Sequence, residues 1–449
     1  MPARTRQPLA VPAPLLRVMR PFQAFLANQS ASGVLLLAST VVALVWANSR
    51  FAESYHHLLE TPITVRFGEL GSTWPLHHWI NDGLMAVFFF LVGMEIKQEL
   101  VLGELRSFGR ALLPLIAAAG GMAAPAALFL AFNAGDTSAR GWGIPTATDI
   151  AFALGCLAVL RGKVPASLAV FLTALAIFDD LGAILVIALF YGAGLNVAAL
   201  LGAAGIVGVL VVMNLYGVRR PLPYALVGIV LWLLVLLSGI HATIAGVILG
   251  LCIPARPPRE PEELLSELDD AVTALRSDDV KDGAETLGAI ERYLEQVQAP
   301  LPRIVHALHK PVGFLIIPIF ALANAGISLQ ALSPSDVFSP VTLGVMLGLF
   351  LGKQLGIFAA TYAAVKLGLS PMPAGASWRQ LYGVAMLGGI GFTMSLFISA
   401  LAFPADAALN NASKLGILAG SLLSAGAGMA FLALGKPGPV PAAQPSAEA

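Results

Sequence analysis

The chain has 449 residues, 57% hydrophobic and 12% charged, with 26 basic residues against 26 acidic ones. Soluble domains carry about a quarter charged residues, so this composition cannot cover a globular surface and excludes both a soluble enzyme and a disordered chain. With no net positive field, a nucleic-acid partner is also excluded.

Recurrent apolar runs predict an all-α polytopic membrane protein of about twelve transmembrane helices. In chain order they are 32–48, 77–98, 111–132, 145–160, 167–191, 197–216, 222–237, 240–254, 305–328, 340–366, 380–403 and 414–434. Residues 1–31 hold Arg4, Arg6, Arg17 and Arg20 and no acid, and read as a cytoplasmic N-terminal segment before an uncleaved first span. Helices 1–8 fill 32–254. Within them the external loop 49–76 alternates over Ile63–Phe67 before Gly68 and Gly71, which suits a small β-hairpin. Cys156 and Cys252 lie in apolar runs and imply no disulfide framework.

Residues 255–304 form an acidic cytoplasmic insertion. Its part at 256–299 holds 12 acids and 5 bases and is bounded by prolines at both ends. A solvated helical hairpin and a regulatory segment are both open readings. Helices 9–12 fill 305–434, and 435–449 reads as a disordered C-terminal tail. Placing both termini in the cytoplasm puts 21 Lys and Arg inside and 4 outside, the expected asymmetry for a bilayer protein.

Away from the ends of the predicted spans stand five charged residues: Asp82, Asp149, Asp179, Asp180 and Lys353. At roughly 2.5–3.5 kcal/mol each on insertion scales, such charges need a partner or a use. Asp179 and Asp180 sit midway along their helix. Neighbours on a helix point about 100° apart, so the two carboxylates cannot share one face. Two acids so close repel, and such groups can bind a proton or a metal cation but not both at once; that competition is the chemical minimum for cation/proton exchange. A structural pair neutralised by Lys353 is the plainer alternative.

Thr148 and Asp149 follow Gly143 and Pro145, which break helical continuity, and so offer oxygens where irregular backbone is tolerated only beside a cavity or buried in protein. A simple N-cap is the other reading. Gly388, Gly389 and Gly391 mark a second break or, alternatively, close helix packing. Two interrupted helices, each the middle of a three-helix group, match inverted repeats with discontinuous helices crossing at the midplane. Asp149 is then the candidate to offset half-helix N-termini, and Lys353 to offset C-termini. Glu95 and Glu99 stand one turn apart at a span end, as solvated charges or an entry funnel. His241 can titrate near physiological pH. His306 and His309 lack the companions of a zinc site.

Seven motifs in order carry a close resemblance to a known family. They are Trp79-Ile-Asn-Asp-Gly-Leu-Met-Ala-Val-Phe-Phe89, Gly141-Trp-Gly-Ile-Pro-Thr-Ala-Thr-Asp-Ile-Ala-Phe-Ala-Leu154, Ala174-Leu-Ala-Ile-Phe-Asp-Asp-Leu-Gly-Ala183, Ser238-Gly-Ile-His-Ala-Thr-Ile-Ala-Gly246, Phe320-Ala-Leu-Ala-Asn-Ala-Gly326, Gly352-Lys-Gln-Leu-Gly-Ile357 and Gly388-Gly-Ile-Gly-Phe-Thr-Met-Ser395. Over about 20–435 the chain resembles the NhaA-type sodium/proton antiporters. The resemblance implies an electrogenic, pH-regulated exchanger of the bacterial inner membrane. It also implies Na+, Li+ and H+ as transported substrates, no cofactor, no enzymatic reaction and a homodimer formed through the first external loop.

The resemblance also implies roles. Asp180 is the principal Na+ carboxylate and Asp179 its partner, paired with Lys353 in one state. Thr148 and Asp149 stand beside the site, and Asp82 lies on the external pathway. Glu95, Glu99 and His241 occupy positions linked to pH response. Two departures stand out: Val305 replaces the family's acid before His306, and Gln354 replaces its proline after Lys353. An organic-solute symporter and an intramembrane aspartyl protease are the alternatives; the latter needs Asp149 to meet Asp179 or Asp180 across one water.

Overall fold

In hydrocarbon a backbone must satisfy its own hydrogen bonds, and the apolar runs accordingly become helices. The computed structural model describes residues 30–67, 70–135, 137–160, 162–192, 194–255, 299–328 and 334–435. The basic N-terminal stretch, the acidic insertion at 256–298 and the tail from 436 onward lie outside the described residues.

Helix α1 (Ser30–Ala47) turns through 111° into the short α2 (Ala52–Glu60). Strands β1 (Pro62–Phe67) and β2 (Leu70–Pro75) pair antiparallel, with Ile63 opposite Trp74 and Thr64 opposite Thr73. A π-turn at Trp79–Leu84 leads into α3 (Met85–Val101), followed by α4 (Phe108–Asn133). A 3-10 segment, Thr137–Thr146, then meets α5 (Ile150–Val159) at 40°. Next come α6 (Ala166–Phe190), α7 (Val197–Leu215), α8 (Pro221–Leu237) and α9 (Thr243–Cys252).

After the insertion, α10 (Pro300–Pro311) and α11 (Ile317–Asn324) are joined by a π-turn, Val312–Ile316. Helices α12 (Pro340–Leu347) and α13 (Lys353–Lys366) are joined by another, Gly348–Gly352. Helix α14 (Trp378–Leu387) meets α15 (Phe392–Ala402) at 45°, and α16 (Ala407–Ala433) closes the described chain. Among the described residues six helices are long and apolar enough to cross a membrane, or up to nine if each bent pair counts as one span. With this many apolar helices the chain is a multi-pass membrane protein.

Local chemistry sets many helix starts. Asn196 Oδ1 accepts from the backbone of Ala198 and Ala199 to begin α7. Ser377 and Gln380 form a reciprocal capping box at α14. Proline opens α8, α10 and α12, where its missing N–H costs nothing.

Packing divides the helices into two bundles. One holds α4, the 3-10 segment, α5, α6 and α12–α16, and its core also takes in side chains of α1, α3, α9 and α11. The other gathers Leu91, Met94, Ala203, Leu210, Leu231 and Val312 from α3, α7, α8 and the α10–α11 region, with α9 laid along α3. Each bundle has a helix pair in backbone contact through glycines. A Cβ on Gly93 of α3 would lie 2.6 Å from Val247 O of α9, and one on Gly352 would lie 2.6 Å from Pro125 Cα of α4. Lipid tails are as apolar as leucine, so close van der Waals approach replaces the hydrophobic drive that holds soluble helices together.

Candidate ion site

The two helix breaks meet in the first bundle and satisfy one another. The Asp149 backbone amide donates to Ile390 O at 2.6 Å, and the Thr148 hydroxyl donates to Gly388 O at 2.8 Å. In return, the Ser395 hydroxyl donates to Ile144 O at 2.7 Å, at the end of the 3-10 segment. Each chain thus answers carbonyls that the other's broken helix leaves open.

Asp149 does the complementary work for amides. Its Oδ1 accepts from Phe152 N at 3.0 Å, the N-cap bond of α5. Its Oδ2 accepts from Thr393 N at 3.2 Å and from the Thr393 hydroxyl, in the first turn of α15. One buried carboxylate therefore caps two half-helices, where both partial positive ends converge. The N-cap reading holds for this residue. With both oxygens engaged, Asp149 is a poor partner for a protease dyad.

Of the two parts expected of it, Lys353 takes that of ion-pair partner to Asp179 and not that of offsetting half-helix C-termini. Its ammonium donates to Asp179 Oδ2 in a fully buried ion pair, both side chains being 0% exposed. The half-helix carbonyls are served instead by hydroxyls and an amide. Those neutral donors satisfy a carbonyl without the cost of desolvating a second charge.

Thr148 also stands against the Asp179 carboxylate, which brings Asp179, Lys353, Thr148 and Asp149 into one cluster. Asp180 lies in the next position of α6, buried at 5% exposure. Asp179 Oδ1 and Asp180 Oδ1 are both buried and lack a hydrogen-bond partner. Buried polar atoms without partners are rare and call for an explanation. Two carboxylate oxygens, with a threonine hydroxyl and backbone close by, are hard oxygen donors of the kind a small cation or a proton takes. No cluster of three or more His, Cys, Asp or Glu suited to a tightly held metal occurs among the described residues.

The remaining sequence-predicted residues lie elsewhere. Asp82 sits in the Trp79–Leu84 π-turn, 3.3 Å from His78 Nδ1, and its backbone carbonyl accepts from Trp232. Glu95 of α3 lies 3.4 Å from His309 Nδ1 of α10. Glu99 borders an open hollow of about 600 Å³ with Arg106, Ser107 and Arg110. His241 contacts the backbone carbonyl of Tyr191 at 2.7 Å.

Sequence reasoning missed Thr393 and Ser395 as members of the cluster. A hydroxyl in the first turn after a glycine break is the signal that could have found them. It also missed Asn81 and Asn324, whose side-chain amides bond reciprocally at 2.8 and 3.4 Å.

A family profile described as Na+/H+ antiporter 1 matches residues 23–432. The chain is 50% identical over 433 residues to "Na(+)/H(+) antiporter NhaA 1" of Myxococcus xanthus (strain DK1622), with 96% of each chain covered. It is 50% identical over 437 residues to "Na(+)/H(+) antiporter NhaA" of Anaeromyxobacter sp. (strain Fw109-5), covering 96% of this chain and 95% of that one. A solved sodium proton antiporter, MjNhaP1 from Methanocaldococcus jannaschii, is 15% identical with a TM-score of 0.48, over 93% of this chain and 96% of that one. The motifs noted in the sequence, the extent of the profile match and the identity to full-length relatives agree: the chain belongs to the Na+/H+ antiporter 1 family.

Proposed function

We propose that this protein is a secondary transporter exporting Na+, and Li+, in exchange for H+ by alternating access. The observation that carries the reading is the pair of buried, unpartnered oxygens on Asp179 and Asp180 beside Lys353. With the pair ionised, Na+ binds at Asp180, with Asp179 as its partner and Thr148 close by. Binding competes with the Lys353 ion pair, since Asp179 cannot serve both cations fully. External protons then displace Na+, and the protonated site returns. Na+ and H+ thus exclude one another and no ATP is needed. Two carboxylates can take two protons against one Na+, so the exchange is electrogenic.

Asp149 holds the two breaks at the site as the staple of inverted repeats. Asp82 serves the external pathway, and Glu95, Glu99 and His241 adjust the response to pH. In this reading twelve spans place both termini in the cytoplasm of the bacterial inner membrane, and the hairpin at 62–75 joins two copies in a homodimer. The stretch 256–299 is a cytoplasmic insertion, and deleting 260–298 leaves exchange intact while shifting its pH dependence.

The test is Na+-induced proton flux in everted vesicles, with Na+, Li+ and K+ compared across pH. Asp180→Asn abolishes exchange on this reading; full exchange in that variant would overturn it.

A further inference from the structure

One joint between the two bundles is built on Tyr191, the residue that follows α6 as its C-cap. Its side chain is 3% exposed. The phenol donates to Arg140 O at 2.7 Å and accepts from Gly143 N at 3.3 Å, both in the 3-10 half of the first broken segment. Gly143 O in turn accepts from the Thr146 hydroxyl at 2.8 Å, so the residue is gripped at both its amide and its carbonyl. Thr148 follows two residues later, against Asp179. A ring contact between Trp142 and Phe190, 5.1 Å between centroids, reinforces the same junction.

The backbone carbonyl of Tyr191 faces the other bundle, where it meets His241 Nε2 at 2.7 Å. A carbonyl only accepts, so Nε2 carries the proton and Nδ1 is the nitrogen that titrates. The link therefore holds whether the ring is neutral or charged. Immediately afterwards the Asn196 amide donates to Ser238 O at 2.9 Å, and Gly194 adopts φ +43°.

We propose that Tyr191 is a positioning residue of the ion site. Its hydroxyl pins the segment that delivers Thr148 to the end of the helix that carries Asp179 and Asp180. Its carbonyl, held by His241, anchors that unit to the second bundle. The phenol bonds backbone groups of that segment. Its effect is to keep Thr148 in place, so that binding Na+ does not have to order that segment first. This inference rests on the exchange reading above for its transport readout but not for its structural one.

The test uses Tyr191→Phe, which keeps the ring, with Tyr216→Phe on the exposed face as control. Hydrogen–deuterium exchange over 137–146 and the KM and Vmax for Na+ are measured on the reconstituted protein. Exchange at Gly143 should quicken, and KM should rise about three- to tenfold with Vmax within about twofold, the scale of one lost hydrogen bond. Gly143→Ala, whose Cβ would stand 2.7 Å from Tyr191 Oη, should reproduce the KM rise and add less than its own effect to Tyr191→Phe. Unchanged deuterium exchange overturns the proposal. So does quicker exchange, or a lower melting temperature, with KM unmoved, which would make the hydroxyl merely structural. A wild-type protein that exchanges no Na+ for H+ would overturn the transport reading instead, while the deuterium arm still tests the pin.

Discussion

Thr393 and Asp149, 244 positions apart in sequence, join the two broken helices through a single carboxylate. The backbone and hydroxyl of Thr393 both donate to Asp149 Oδ2, while Asp149 Oδ1 caps its own helix at Phe152. The candidate ion site therefore lies beside a crosslink between two discontinuities, and the first prediction tests that crosslink.

Thr393→Val keeps the size and the backbone bond but removes the hydroxyl from a buried carboxylate. A lost donor to a buried charged group costs roughly 1–3 kcal/mol. The variant should melt lower in detergent and bind Na+ more weakly. Thr393→Ser should restore most of both. Equal loss in the serine variant would show that side-chain volume, not the hydroxyl, is what matters.

Removing one member of the Asp179–Lys353 pair leaves a buried charge without its partner, at a cost of roughly 3–5 kcal/mol. Lys353→Met and Asp179→Asn should each lower thermal stability. The double variant should lose less than the sum, because no uncompensated charge remains. Strict additivity in melting measurements would mean that the pair does not stabilise the fold through mutual neutralisation.

Competition at one site has a kinetic signature. Protonating either carboxylate removes a ligand, so the apparent KM for Na+ should rise as pH falls. Each competing proton contributes up to about tenfold per pH unit, since one unit corresponds to 1.36 kcal/mol, so the two protons of an electrogenic exchange set a limit of about a hundredfold. Saturating Na+ should recover the same maximal rate. A falling maximal rate at constant KM would place proton and sodium on separate sites.

Helix contact through glycine makes a steric prediction. Gly352→Ala places a methyl 2.6 Å from Pro125 Cα, backbone that cannot swing aside, and should destabilise by roughly 1–3 kcal/mol. Gly205→Ala on α7 meets nothing within 4 Å and should be neutral or slightly stabilising. Thermal melts of the two purified variants decide the matter.

Sequence alone determined the membrane solvent, the apolar helices and the unusual charges. These properties are local: a run of apolar residues or a mid-run aspartate is expensive or cheap in lipid whatever its neighbours. The glycine and proline breaks at 143–145 and 388–391 were legible for the same reason, since they weaken any helix that contains them. Tertiary structure decided which of the open readings each charge takes. Lys353 could have faced a helix end, yet it pairs with Asp179. Asp149 could have been a simple cap, yet it also holds Thr393. His241 could have been a lone interfacial histidine, yet it holds the carbonyl of Tyr191. Hydrogen bonds are short and directional, and these join segments 50 to 244 residues apart. No local pattern encodes such a meeting; the packing of the two bundles brings it about.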